Sequence, residues 1–360
     1  MRLFTFLASL LVATQVVADS IDFGQAGKYN AFIKKDYSVT SSDVQGRVAV
    51  GGNFNVAGGY EVGNKITDFN MGSGPALVVG GDINKTGGGF FNVYETATLP
   101  TPVMGDVVLG GTINGGPVGY ENAYENAANL PVNFDSAFQH LENLSKQLAE
   151  RTETTSVVAQ NSQLIFNVDP NEIPADGVYV FNVTEQMFTN QWGGRRTDWI
   201  IDTDNMVAGA TVVFNVTNEN GQTVTLPQAN VFLGDTSNPL SSHFDKDLAT
   251  NTAPIQVLYN FYGASQLNLN SDLYGSVLAP TADIKSNQSV IWGQVMGQSW
   301  EGNMQINYNP FTPVGSTPTP VPETGTIWLF LLAVSLLMMR KIKTTSSNAN
   351  NQVKSYACIA

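Results

Sequence analysis

The sequence predicts an all-β fold, a right-handed parallel β-helix (β-solenoid) with one long α-helix packed alongside, and three observations predict it. Val48-Ala-Val-Gly-Gly-Asn53, Leu77-Val-Val-Gly-Gly-Asp82 and Val107-Val-Leu-Gly-Gly-Thr112 each carry three apolar residues and then a glycine pair. Their first glycines, Gly51, Gly80 and Gly110, stand 29 and 30 residues apart, a fixed period of the kind that stacked units leave. Later, Tyr274-Gly-Ser-Val277 and Trp292-Gly-Gln-Val295 echo each other after 18 residues, room for one turn of a narrow coil and little else. Helical spacing then appears over a single long stretch, where Phe134, Ala137, Phe138, Leu141, Leu144 and Leu148 fall on one face. Strands of a β-sandwich with glycine-rich hairpins would also fit the first repeats taken alone, and the 18-residue step favours the coil.

In chain order, Arg2, the apolar run Leu3 to Val12 and the small residues before Ala18 form a secretory signal, so residues 1–18 are expected to be removed and the domain to occupy 19–311. The three repeats run to about Asn114, and each glycine pair is expected to turn the chain out of its strand through positive φ. Pro131 and then Asn133 or Asp135 start the helix, which should end near Glu150 and cover a side or an end of the coils, with His140 on its wet face. Strands resume at Leu164–Val168, Gly177–Val183, Trp199–Ile201, Ala210–Val216, Val231–Leu233 and Ile255–Phe261. Their unbroken β-branched and aromatic runs imply burial on both faces. Residues 312–322 form a stiff Pro/Thr linker. The apolar run Ile327 to Met339, about 20 Å long as a helix against a hydrocarbon core of about 30 Å, is a marginal membrane span that makes 323–343 an anchor. Arg340-Lys-Ile-Lys343 directs the tail 344–360 to the cytoplasm and the domain to the outer face.

Charge and composition narrow the function. Only 13% of residues are charged, 34 are glycine, and the net charge is −13. Nucleic acid is therefore not an expected partner, because neutralising phosphates takes a basic face. The one cysteine, Cys358, follows the apolar run, and the two histidines, His140 and His243, are too few and too isolated for a triad or a zinc pair. No nucleophile elbow or phosphate loop occurs. Arg195 and Arg196 with Asp198, Asp202 and Asp204 are the one cluster that invites chemistry, a calcium-dependent polysaccharide lyase on a β-helix; a solvated turn with local ion pairs is the plainer reading. Ca²⁺ is the metal such carboxylates would take, yet the set is short of the 6–8 oxygens it wants. Otherwise no cofactor is expected. Trp192, Trp199, Trp292 and Trp300 are either sugar-gripping or core residues. Thr223-Val-Thr225 is the one Thr-x-Thr pair within an expected strand, which makes an ice-binding face a third reading.

Two resemblances follow from these residues. Val321-Pro-Glu-Thr-Gly325, with its apolar helix and basic end, resembles the PEP-CTERM sorting signals processed by exosortases. Thr324 replaces the usual proline and makes the same stretch similar to the Leu-Pro-x-Thr-Gly motif of sortase substrates. Asp43 to Asn53, the Val-Val-Gly-Gly echoes, the helix after Phe134, Leu258-Tyr-Asn-Phe261 and Gly275-Ser-Val-Leu-Ala-Pro280 resemble the choice-of-anchor A domain, over roughly Phe23 to Phe311. That resemblance implies a domain displayed on the cell surface through either kind of anchor, associated with adhesion and without a catalytic site. The function expected is thus that of an exported, surface-anchored, non-enzymatic binding protein, an adhesin or matrix component. Its partners would be the membrane, an exosortase or sortase, and an extracellular matrix protein or polysaccharide.

Overall fold

A strand of three residues makes too few hydrogen bonds to stand alone, and Val48–Val50 holds because parallel strands flank it on both sides. The computed structural model describes residues 21–313, apart from Leu99, Thr155, Asn161, 190–196, 227–228 and 246–251. The chain divides into two compact units, Met1–Ser316 and Thr317–Ala360. The second unit, the signal 1–18, the sorting motif Val321, Pro322, Glu323, Thr324 and Gly325, the anchor, the tail, and Trp192, Arg195 and Arg196 lie outside the described residues.

The described fold is mostly β, with few helices. Val48, Leu77 and Val107 are register partners on successive parallel strands, as the glycine period requires. Over residues 31–119 the chain visits three sheets repeatedly in the same order: Ala31–Ile33, Tyr37–Val39 and Ser42–Val44, then Val48–Val50, Phe54–Val56 and Tyr60–Val62, then Leu77–Val79, Ile83–Lys85 and Phe91–Thr96. The longer strands Ser276–Ser286 and Val295–Gly302 bend from the first sheet into the second, so those two form one curled sheet of 16 strands. A separate four-stranded sheet holds Val157–Gln160, Gln163–Phe166, Thr197–Ile201 and Ala229–Leu233.

The stacking order is not the chain order. The first strand, Ala31–Ile33, lies between Val48–Val50 and the late strand Val295–Gly302, with Ala31 opposite both Val48 and Val295. The two halves of the chain meet at this seam. Asn30 donates to the carbonyl of Gly293 (2.7 Å) and accepts from Gly46 N–H (3.0 Å), and Gln294 Nε2 donates to the carbonyls of Gly27 and Tyr29 (2.9 and 2.8 Å). The side chains of Asn30 and Gln294 are both buried, where an unmade bond would cost most.

The double burial expected of the apolar runs has a simple cause. In Val48-Ala49-Val50 the two valines join the core inside the circuits and Ala49 joins a second core on the outer face. That outer face is covered by the helix Phe134–Glu150, which has the bounds the sequence predicts. Asn133, rather than Asp135, caps it by accepting from Ser136 N–H at 3.0 Å. Phe138 stacks on Phe32 (centroids 5.3 Å apart), and Leu141, Leu144 and Leu148 belong to the same core as Val213, Leu258 and Leu278. A buried polar chain fixes the helix to the sheet. Asn260 donates to Asn215 Oδ1 (2.8 Å) and the Ser145 carbonyl (2.9 Å) and accepts from the Ser145 hydroxyl (2.6 Å), while Asn215 donates to the Leu148 carbonyl (2.9 Å). His140 is exposed, with Nε2 2.7 Å from the Asp22 carbonyl.

Inside the circuits, flat rings stack along the axis. Trp300, Tyr37, Phe54 and Phe91 follow one another at 5.7, 4.9 and 5.2 Å with planes within 15° of parallel. Trp199 and Trp300 are thus core residues.

One expectation about the glycines is corrected. None of Gly51, Gly52, Gly80, Gly81, Gly110 and Gly111 has a positive φ. They are glycines because neighbouring circuits approach too closely for a Cβ. On Gly51, Gly80 and Gly110 it would strike the carbonyl oxygen of Lys34, Gly51 and Gly80 in turn. On Gly52, Gly81 and Gly111 it would strike the side-chain oxygen of Asp36, Asn53 and Asp82. Those oxygens cap the next circuit: Asp36 accepts from Asn53 N–H (2.8 Å), Asn53 from Asp82 N–H (2.9 Å) and Asp82 from Thr112 N–H (2.8 Å).

Candidate binding face

The strands of the second sheet alternate, with an inward apolar residue beside an outward polar one. Phe54-Asn55-Val56 buries both ends and half-exposes Asn55, and Tyr37-Ser38-Val39 does the same. Parallel in-register pairing then lines up the outward residues in a column, with Thr225, Asn268, Lys285, Glu301, Ser38, Asn55, Asn84 and Asn114 on successive strands. Neighbouring strands lie about 4.8 Å apart, which sets the repeat of this column.

Its members bond to one another. Asn114 donates to Asn84 Oδ1 (3.1 Å), Asn84 to Asn55 Oδ1 (3.0 Å), Asn55 to Ser38 Oγ (3.2 Å), and Asn268 to Thr225 Oγ1 (3.1 Å). Lys285 and Glu301 pair at 3.6 Å, both well exposed. A parallel column holds Thr223, Gln266, Asp283 and Ser299. Partial burial pushes the Asp283 carboxyl upward, but hydrogen bonds from Ser299 Oγ (2.6 Å) and Gln298 Nε2 (3.1 Å), with Lys35 and Lys285 nearby, outweigh it and hold the carboxyl below its ordinary value. A shallow groove of about 560 Å³ follows the columns past Ser38, Asn55, Asn84, Lys285 and Glu301. On the inward side, buried Lys85 donates to the carbonyls of Thr86, Gly87 and Gly88 at 2.8 to 3.3 Å, which ties off the turn beside the groove.

Thr223 and Thr225, singled out in the sequence, head these two columns. The acidic residues do not gather. Asp198 and Asp202 lie at the start of and just beyond the strand Thr197–Ile201, about 13 Å apart for extended chain. Asp198 accepts from Asn230 (3.1 Å), Asp202 accepts from Val168 N–H (3.3 Å) and Asn205 (3.0 Å), and Asp204 is exposed in the following turn. Among the described residues, no group of three or more His, Cys, Asp or Glu side chains is placed to hold a metal ion, and no helix is long and apolar enough to cross a membrane. Two Asn-x-Thr sequences, potential glycan acceptors, are engaged in the fold: Asn215 is buried in the polar chain that holds the helix, and Asn84 belongs to the polar column.

Sequence reasoning missed the column, since eight strands spread from residue 38 to residue 301 contribute one residue each and no local motif marks them. Beyond the Thr223-Val-Thr225 pair, the local sign is the Asn that recurs at Asn55, Asn84 and Asn114 at the period of the glycines.

A search of the curated proteins finds no match. Among solved structures, the chain is similar to an ice-binding protein from the Antarctic ascomycete Antarctomyces psychrotrophicus, at 13% identity and a TM-score of 0.29, covering 80% of this chain and 98% of that one. A family model described as "Putative Ice-binding-like adhesive domain" matches residues 22–308, nearly the whole of the described fold. The chain therefore belongs to the family of ice-binding-like adhesive domains.

Proposed function

We propose that this chain is an exported protein held at the cell surface that works by adhesion, without catalysis, through its two polar columns. The observation that carries this reading is the eight-residue column from Thr225 to Asn114, whose self-bonded side chains offer a long, repeating polar surface. Many weak contacts of one kind add up along such a surface. We read its circuits as a right-handed β-helix of the choice-of-anchor A type. The stretch Val321 to Gly325 is then its sorting motif for an exosortase or sortase, and 323–343 its membrane anchor. Its partner is an extracellular polysaccharide or matrix protein.

Ice is the second reading, supported by the family description and by Thr223 and Thr225 at the head of the columns. The test of both uses the full chain and a variant with Asn55, Asn84 and Asn114 all changed to Ala. Attachment to polysaccharide-coated and matrix-coated surfaces is expected to fall at least tenfold with the melting temperature nearly unchanged. Unaltered attachment would sink the proposal. Loss of ice adsorption and thermal hysteresis, with coated surfaces never bound, selects ice. Mass spectrometry of the surface-extracted protein tests the ends, with Asp19 expected first.

A further inference from the structure

Away from the polar columns, at the edge of the third sheet, three half-buried aromatic rings meet at the surface. Phe244 packs against Tyr274 (centroids 5.3 Å) and Trp292 (5.9 Å), and the last two are register neighbours on the strands Leu273–Tyr274 and Val290–Trp292. Beside Tyr274 opens a pocket of about 130 Å³ lined by Asn230, Phe232, Pro239, Ser241, Asp272 and Tyr274.

Its polar atoms are held in place. Asp272 Oδ1 accepts from the Ser289 hydroxyl and from Val290 N–H (3.1 Å), which fixes the carboxylate and leaves Oδ2 with no hydrogen-bond partner among the described residues. Burial, helped by the Asp272 charge, pushes the Tyr274 phenol up against the opposing effect of the Ser241 hydroxyl, so it stays a neutral hydroxyl.

We propose that this pocket binds a single neutral pyranose ring at the end of a glycan. A pyranose has an apolar C–H face and a hydroxyl edge, and the pocket offers an aromatic wall at Tyr274 and Phe232 beside a fixed carboxylate with a free oxygen. Its volume is far below the roughly 300 to 1,000 Å³ of sites that enclose drug-sized ligands, which limits the occupant to one ring. Asp272, and Asp198 beyond Asn230 (3.1 Å), repel carboxylated or sulfated sugars. The site lies on a different sheet from the polar columns and does not rest on the adhesive reading of them.

The test titrates the full chain with methyl glycosides of glucose, galactose, mannose and N-acetylglucosamine, and with methyl glucuronide, by saturation-transfer NMR and calorimetry. At least one neutral glycoside is expected to bind saturably and the glucuronide not to bind. Asp272→Asn should weaken binding about tenfold or more, because it replaces a hydrogen bond to a charged acceptor. Ser241→Ala, at an exposed residue that lines the pocket, gives a second reading in case Asp272→Asn melts early. Lys146→Ala, on the exposed face of the helix and outside the pocket, should leave sugar binding unchanged. No saturable binding of any neutral glycoside, preference for the glucuronide, or equal affinity in both pocket variants would overturn the proposal.

Discussion

The carbonyl oxygen of Gly51 occupies the space that a Cβ on Gly80 would need, and Gly80 stands in the same relation to Gly110. Because the clash is with backbone, no side chain can swing away to relieve it.

Gly80→Ala is therefore expected to destabilise the domain by about 1–3 kcal/mol, the usual cost of overpacking. Gly88→Ala, which meets nothing within 4 Å and has no positive φ, is the matched control and should be nearly neutral. Thermal melts of the two variants decide it, and equal melting temperatures would refute the packing argument.

The Asx side chains after the glycine pairs make a separate prediction. Asp82→Ala removes the acceptor 2.8 Å from Thr112 N–H and should cost about 1 kcal/mol or more. Asp82→Asn should recover most of it. Hydrogen exchange at the Thr112 amide, faster in the alanine variant alone, is the specific readout.

Beneath the helix, Asn260→Ala leaves the Ser145 hydroxyl, the Ser145 carbonyl and Asn215 Oδ1 each short of a partner in a buried site. With unpaired buried groups costing about 1–3 kcal/mol each, this should be more damaging than Gly80→Ala or Asp82→Ala. Urea unfolding is expected to show it, with a midpoint well below that of Gly80→Ala.

Asp43 predicts a pH dependence. Burial, together with the carboxylate of Glu61 on the neighbouring strand, raises its pKa, although hydrogen bonds from Gln305 (3.1 Å) and Asn64 (3.5 Å) oppose the shift. The folded state then holds the proton more tightly than the unfolded one, so this group's contribution to stability is fullest below the unfolded value and is lost as pH rises through the folded value. Asp43→Asn should thus raise the melting temperature at pH 7 and change it little at pH 3. The opposite pattern would reverse the assignment.

Local signals were legible in the sequence and distant pairings were not. The helix Phe134–Glu150 and the Val48, Leu77 and Val107 stack could be read because spacing alone encodes them. The caps Asn53 and Asp82 follow glycine pairs, but the amides they bond, Asp82 N–H and Thr112 N–H, belong to the neighbouring circuit, and that pairing went unread. Ala31 against Val295 left no such trace, because strands from opposite ends of the chain share no period. The tryptophans were ambiguous for a related reason: Trp300 faces inward and Trp292 is half exposed although both sit in similar β sequence, and only their sheet decides which way each points.

The seam between Ala31 and Val295 also sets when this protein can become itself. While the chain is being made, residues 31–124 have all their own strands yet present a bare sheet edge at Ala31–Ile33, the kind that recruits stray strands. That edge is closed only by a segment synthesised more than 250 residues later. Completion therefore waits for nearly the last strand, and a nascent chain that stays unfolded until Val295 is available avoids pairing with its neighbours instead of with itself.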